Sequence, residues 1–108
     1  MTFPGPFALT VIGPQEQAPY TARSLQVLPR DGGLELRFAD AQGLKLLAVF
    51  LPLSALRALA RREPTLGLLA GTAVTVAPAP GGLRVGSIFA AAPPALYALL
   101  ADSKEAAW

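Results

Sequence analysis

Leu34, Leu36 and Phe38 alternate with Glu35 and Arg37, the period of a strand with one face buried. Similar stretches at 7–12, 20–28, 72–77 and 83–89 read as strands, separated by turn-forming residues. The strongest reversal signal is Pro29-Arg30-Asp31-Gly32-Gly33, because Asp-Gly and Gly-Gly tolerate the positive φ of tight hairpins. Asp40-Ala41-Gln42-Gly43 is a second turn. The strand it introduces, 44–51, is apolar on both faces. Leu44, Leu46, Ala48 and Phe50 form one row; Leu47, Val49 and Leu51 form the other, joined by Lys45. A strand apolar on both sides is expected at the centre of a sheet, covered twice.

Two segments change period from 2 to 3.6. In 52–62, Pro52 suits a first turn and Ser54 is a candidate cap. Leu53, Leu56, Leu59 and Ala60 fall on one side, Ser54, Arg57 and Arg61 on the other, and Glu63-Pro64 ends the helix. Pro93-Pro94 opens a second helix running to about residue 104. It would bury Leu96, Tyr97, Leu100 and Ala101, and expose Ala98, Asp102 and Glu105. Residues 65–71 read as a helical turn or a connector, residues 1–6 as a loose tail, and Trp108 as an apolar clamp.

These elements predict one α+β domain over 1–108, with a mainly antiparallel sheet of about six strands in the order ββββα–ββα. Both helices would pack on the face carrying Phe38, Phe50 and Phe89. Arg37, Lys45, Leu47, Val49, Arg84 and Ile88 would share the other face. An echo between the halves suggests a ββα duplication. Gly43-Leu44-Lys45 matches Gly82-Leu83-Arg84, Val49-Phe50 matches Ile88-Phe89, and Ala55-Leu56-Arg57-Ala58-Leu59 matches Ala95-Leu96-Tyr97-Ala98-Leu99.

Composition narrows the chemistry. The 108 residues contain no cysteine and no histidine, which removes disulfides, thiolate and imidazole ligands and the commonest general base. Hydrophobic residues make up 53% of the chain and charged ones 15%, well below the quarter or so of ordinary soluble domains. That excess implies apolar surface for a partner or a membrane. Residues 64–83 carry no charge until Arg84, but Pro64, Gly67, Gly71, Pro78, Pro80, Gly81 and Gly82 would break a spanning helix. The start of the chain has no Lys or Arg before Arg23 and is interrupted by Pro4, Gly5 and Pro6, unlike a secretory signal. The expectation is a cytoplasmic protein without membrane contact that pairs with itself through Leu47, Val49, Leu51 and Ile88 or through a sheet edge.

The second expectation is nucleic-acid binding. Net charge is only +2, but Arg23, Arg37, Lys45 and Arg84 could gather on one sheet face and Arg57, Arg61 and Arg62 on a helix. The inward alternation of Phe38, Phe50 and Phe89 leaves Tyr20 as the one outward stacking candidate. The layout of four strands then a helix resembles that of Whirly-type single-strand binders, in arrangement and not in motif. Gly81-Gly82-Leu83-Arg84-Val85-Gly86 looks like a phosphate loop but precedes a strand, so it reads as a hairpin turn. Asp31, Glu35 and Asp40 are the only close carboxylates, and turn roles account for the two Asp residues. No hydroxyl has a base beside it in sequence, and no cofactor or small-molecule substrate is implied. The chain is expected not to be an enzyme.

Overall fold

The computed structural model describes residues 1–15 and 19–106, with side chains to residue 102. Eight antiparallel strands follow one another around a closed barrel: β1 (Thr2–Val11), β2 (Tyr20–Arg30), β3 (Gly33–Ala39), β4 (Lys45–Pro52), β5 (Thr65–Leu69), β6 (Thr72–Ala79), β7 (Gly82–Val85) and β8 (Ile88–Ala91). Helix α1 (Leu53–Ala60) follows β4 and α2 (Ala95–Ala106) follows β8. The chain is therefore ββββα written twice. The expected open α+β sheet of about six strands is corrected to a barrel of eight.

Two segments supply the additional strands, and a third lengthens one already expected. The N-terminal residues are not a tail, because Thr2, Phe3 and Pro4 pair with Gln26, Leu25 and Ser24. The ambiguous segment is β5, turned onto β6 through Ala70-Gly71, with Leu69 opposite Thr72. The single strand expected over 83–89 is two, split where Gly86 takes a positive φ. Ser54 does not cap α1: Pro52 occupies the cap position, and no side-chain bond closes it. The positions of Glu105's side chain and of Trp108 lie outside the described residues.

Strand register also corrects the expected faces: Leu47 and Val49 share the inner face with Phe38, while Phe50 and Phe89 lie opposite Glu35 and Arg84 on the outer one. Leu34, Leu36 and Phe38 lie opposite Leu51, Val49 and Leu47, so all six point into the barrel. Leu25, Val76, Leu83, Val85 and Ala90 join them from other strands, and the Phe7 ring meets Phe38 edge-on at 6.3 Å. The helices do not lie on a sheet face. Both leave the same end of the barrel and pack on each other, and Leu56, Leu59, Leu96 and Leu100 become part of the same core. The outside of the first half carries Gln26, Glu35 and Arg37. Leu28, Ala48 and Phe50 share that outer face, and the interior is apolar, unlike the polar lumen of an outer-membrane barrel. Among the described residues no helix is long and apolar enough to cross a membrane.

The two halves share corresponding strand pairs. Gly33 faces Pro52 as Gly82 faces Ala91, and the Gly32 carbonyl accepts from Leu53 N–H as the Gly81 carbonyl accepts from Ala92 N–H. Val49 and Phe50 thus match Ile88 and Phe89, as the echo suggested. Gly82 matches Gly33 rather than Gly43. The hairpin from Gly33 to Pro52 is twice as long as its counterpart from Gly82 to Ala91.

Both matched glycines sit where the neighbouring strand comes closest. A Cβ on Gly33 would overlap the Leu51 carbonyl, and one on Gly82 the Ala90 carbonyl. Gly82→Ala should lower unfolding free energy by about 1–3 kcal/mol, the range for overpacking. Gly13→Ala, in open space, should lie within about 0.5 kcal/mol of the parent, as surface substitutions do. Urea denaturation of the two variants checks the contrast.

Candidate functional site

The seam between β4 and β5 is held by one residue pair, Phe50 opposite Leu68. The seam between β8 and β1 runs over three pairs. The cause is the longer first hairpin. β4 extends from Phe50 back to Lys45, while β5 turns away after Leu69, so the early half of β4 has β3 on one side and nothing strand-like on the other among the described residues.

Backbone direction follows from the register. The Leu53 N–H bonds the Gly32 carbonyl, so Leu51, Val49 and Leu47 exchange their backbone bonds with β3. Ala48 must then point its N–H and C=O away from β3, the direction in which Phe50 meets Leu68. This is an open strand edge.

Beside that edge lies a cleft of about 530 Å³, lined by Lys45, Leu46, Leu47, Ala48 and Phe50, by Leu68 to Gly71 across the gap, and by Ile88 and Glu35. A smaller hollow of about 160 Å³ shares Leu46, Leu47 and Ile88 and extends to Leu9, Val11 and Tyr20. Together they form an apolar mouth at the barrel end opposite the helices. Tyr20 and Leu44 near this end are 63% and 65% exposed, and Ile12 and Leu68 are exposed as well.

The expected interface residues are only partly here. Val49 and Leu51 are sealed inside the barrel at 0% exposure. Leu47 is buried at 5% but lines the cleft, and half-buried Ile88 lines it too. The row expected to meet a partner is the one that serves the chain's own core. Leu46, Ala48, Leu68 and Tyr20 were not singled out as interface residues. The β4–β5 mismatch that exposes the first three depends on strand lengths in two distant hairpins.

The basic residues do not converge. Arg37 and Arg84 sit on β3 and β7, four strands apart in a ring of eight, so their outward side chains leave from opposite sides. Arg37 is spent on Glu35 (2.7 Å), which Arg30 approaches as well. Arg61 pairs with Glu63, and Arg84 donates to the Gly86 carbonyl. Arg62 stacks on Tyr97, its guanidinium carbon 3.7 Å from the ring centroid. Arg23, Lys45 and Arg57 are exposed, on β2, β4 and α1 respectively. Of the acidic residues, Asp40 accepts the Gln42 and Leu44 N–H groups and so organises the β3–β4 turn. Among the described residues no three acidic side chains converge as a metal centre would require. Comparison with protein-family models, curated proteins and solved structures gives no match.

The edge has a direct signature in hydrogen exchange. In dilute solution the Ala48 amide should exchange at least about tenfold faster than those of Leu47 and Val49, in keeping with exchange from an unpaired rather than a laddered group. Residue-resolved exchange by NMR measures this. Equal protection at the three positions would show that the edge is paired within one chain.

Proposed function

We propose that this chain is a non-catalytic assembly module that pairs with a second copy of itself through the open edge of β4. The observation that carries the reading is the backbone of Ala48, which faces no strand partner among the described residues and lies beside an apolar cleft. An exposed edge is a template for another strand, and stable folds commonly guard it with charge, proline or a covering element. From Lys45 to Leu51 the only charge is Lys45, at the strand's start, and neither Gly nor Pro interrupts the run. The matching strand is at hand, since β4 of another copy carries the same free edge. Antiparallel pairing of the two would satisfy both edges at once and cover Leu46, Leu68 and the mouth around Tyr20.

A cytoplasmic location belongs to the same proposal, and fractionation of producing cells tests it. Nucleic-acid binding, the other expectation, gains nothing from the geometry: Arg37, Arg61 and Arg84 are engaged within the chain, and the cationic positions are spread around the barrel.

Sedimentation equilibrium at micromolar concentration should give a dimer mass for the wild type, and Ala48 amide protection should rise with protein concentration. Ala48→Pro removes the outward N–H, and proline is tolerated on an edge strand. It should weaken association at least about a hundredfold, roughly 2.7 kcal/mol. Leu68→Glu, which places a charge in the cleft without touching β4, should do the same. A monomeric wild type, or two folded variants that remain dimers, would refute the proposal.

A further inference from the structure

A second pocket, on the helical side of the molecule, gathers two features that stood apart in the sequence: the Gly81-Gly82 turn and the last arginine of the α1 run. It holds about 230 Å³ and is lined by Arg62, Ala79, Pro80, Gly81, Gly82, Ala92, Pro94 and Tyr97. We propose that it binds a small carboxylate with a compact apolar body, the carboxylate on the Arg62 guanidinium and the body against Pro80 and Pro94.

The geometry of Arg62 is unusual for a surface cation. It occupies the left-handed position at the end of α1, with φ 60°, where its N–H bonds the Leu59 carbonyl and the Glu63 N–H reaches back to Ala58. This is the terminating motif in which glycine is the unstrained choice. An arginine there is strained in its backbone, and its side chain is what the position gains. That side chain sits over Tyr97, its guanidinium carbon close to the ring centroid. Tyr97 is itself immobilised, because its hydroxyl donates to the Gly82 carbonyl at 2.6 Å. Burial raises the Tyr97 pKa, opposed by the Ala79 N–H and the Arg62 charge, so the phenol stays protonated as the donor at neutral pH.

The contact with Tyr97, which includes a hydrogen bond toward the phenol oxygen, restrains the guanidinium, and its five N–H donors exceed what that one oxygen can take. Among the described residues no carboxylate forms an ion pair with Arg62, in contrast to Arg30, Arg37 and Arg61. The rest of the pocket wall offers no side-chain charge and two proline rings. A planar carboxylate matches the fork in two parallel bonds. The volume lies below the range of about 300–1,000 Å³ typical of drug-sized ligands, which limits the occupant to a small molecule.

The probe is benzoate, titrated into isotope-labelled full-length protein and followed by the Gly81, Gly82 and Ala92 amides and the Arg62 Nε–H. Saturable shifts at millimolar benzoate, with none from benzyl alcohol, are expected. Arg62→Gly relieves the backbone strain, so it should fold at least as well as the parent while its benzoate affinity falls at least about tenfold, the loss expected of a charge-assisted contact. Arg62→Lys should retain less than half of the parent's affinity, because it keeps the charge but not the fork. Absence of saturable shifts, unchanged binding by Arg62→Gly, or an equal response to inorganic phosphate would overturn the assignment.

Discussion

Closing a sheet into a barrel requires every strand to find two partners, and here the requirement is met at β4 by the Phe50–Leu68 pair alone. The other features follow from how the chain reaches that point. Seven of the eight strand contacts extend over three or more residue pairs and draw the interior row of Leu25, Leu36, Phe38, Val49, Val76, Leu83 and Ala90 together. The remaining seam lets the barrel close around that core while leaving part of one strand outside the ladder.

The uneven seam is a difference between two nearly equivalent units. Both halves contain a Val-x-Pro-x-x-Gly-Gly-Leu run, at Val27 to Leu34 and at Val76 to Leu83, and both use its glycines for the same close approach and the same helix-entry hydrogen bond. In the second half the hairpin after the run is short, so β8 begins, at Ile88, where its antiparallel partner β1 ends, at Val11. In the first half it is twice as long, and its surplus is the early part of β4. The candidate interface is therefore the portion of the first unit that has no counterpart in the second. Removing that surplus would restore symmetry and remove the edge.

Much of the local structure could be read from the chain. The alternation in β3, the hairpin at Asp31-Gly32-Gly33, the Asp40 turn and the cores of both helices all stand where residue pattern placed them. What failed was everything that depends on pairing between distant segments. Thr2 to Pro6 carries two turn-forming prolines, and its first residues become a strand only because β2 is long enough to receive them. β5 is five residues with a glycine in the middle, too short for periodicity to separate strand from connector. The sheet's curvature leaves no mark on a single strand, so Leu47, Val49 and Leu51 looked like an uncovered face when the opposite wall of the same barrel covers them. The Val-x-Pro-x-x-Gly-Gly-Leu repeat was present in the sequence. It was missed because the helices and the last strands repeat at a different spacing from the earlier strands, the difference being the shortened hairpin.

The apolar composition now has a different meaning. A barrel of eight short strands filled by its own side chains, with one end plugged by two helices, consumes a large share of hydrophobic residues with little exterior left for charge. An excess of apolar residues is therefore no argument for a partner in this chain; the interior accounts for Val49, Leu51, Leu56 and Leu100 without one. What the interior does not account for is the backbone of Ala48, the cleft beside it, and the exposed side chains of Met1, Ile12, Tyr20, Leu44, Leu66 and Leu68. Backbone groups weigh more than side chains in this comparison. Single exposed leucines are ordinary, since over half of any folded surface is apolar. A strand edge left open beside an apolar hollow is one that folded chains commonly cover or guard with charge. The case for association thus rests on hydrogen-bond direction at one residue, and that direction is fixed by the Leu53–Gly32 bond and the unbroken register of β4 on β3 over the six pairs from Gly33–Pro52 to Phe38–Leu47.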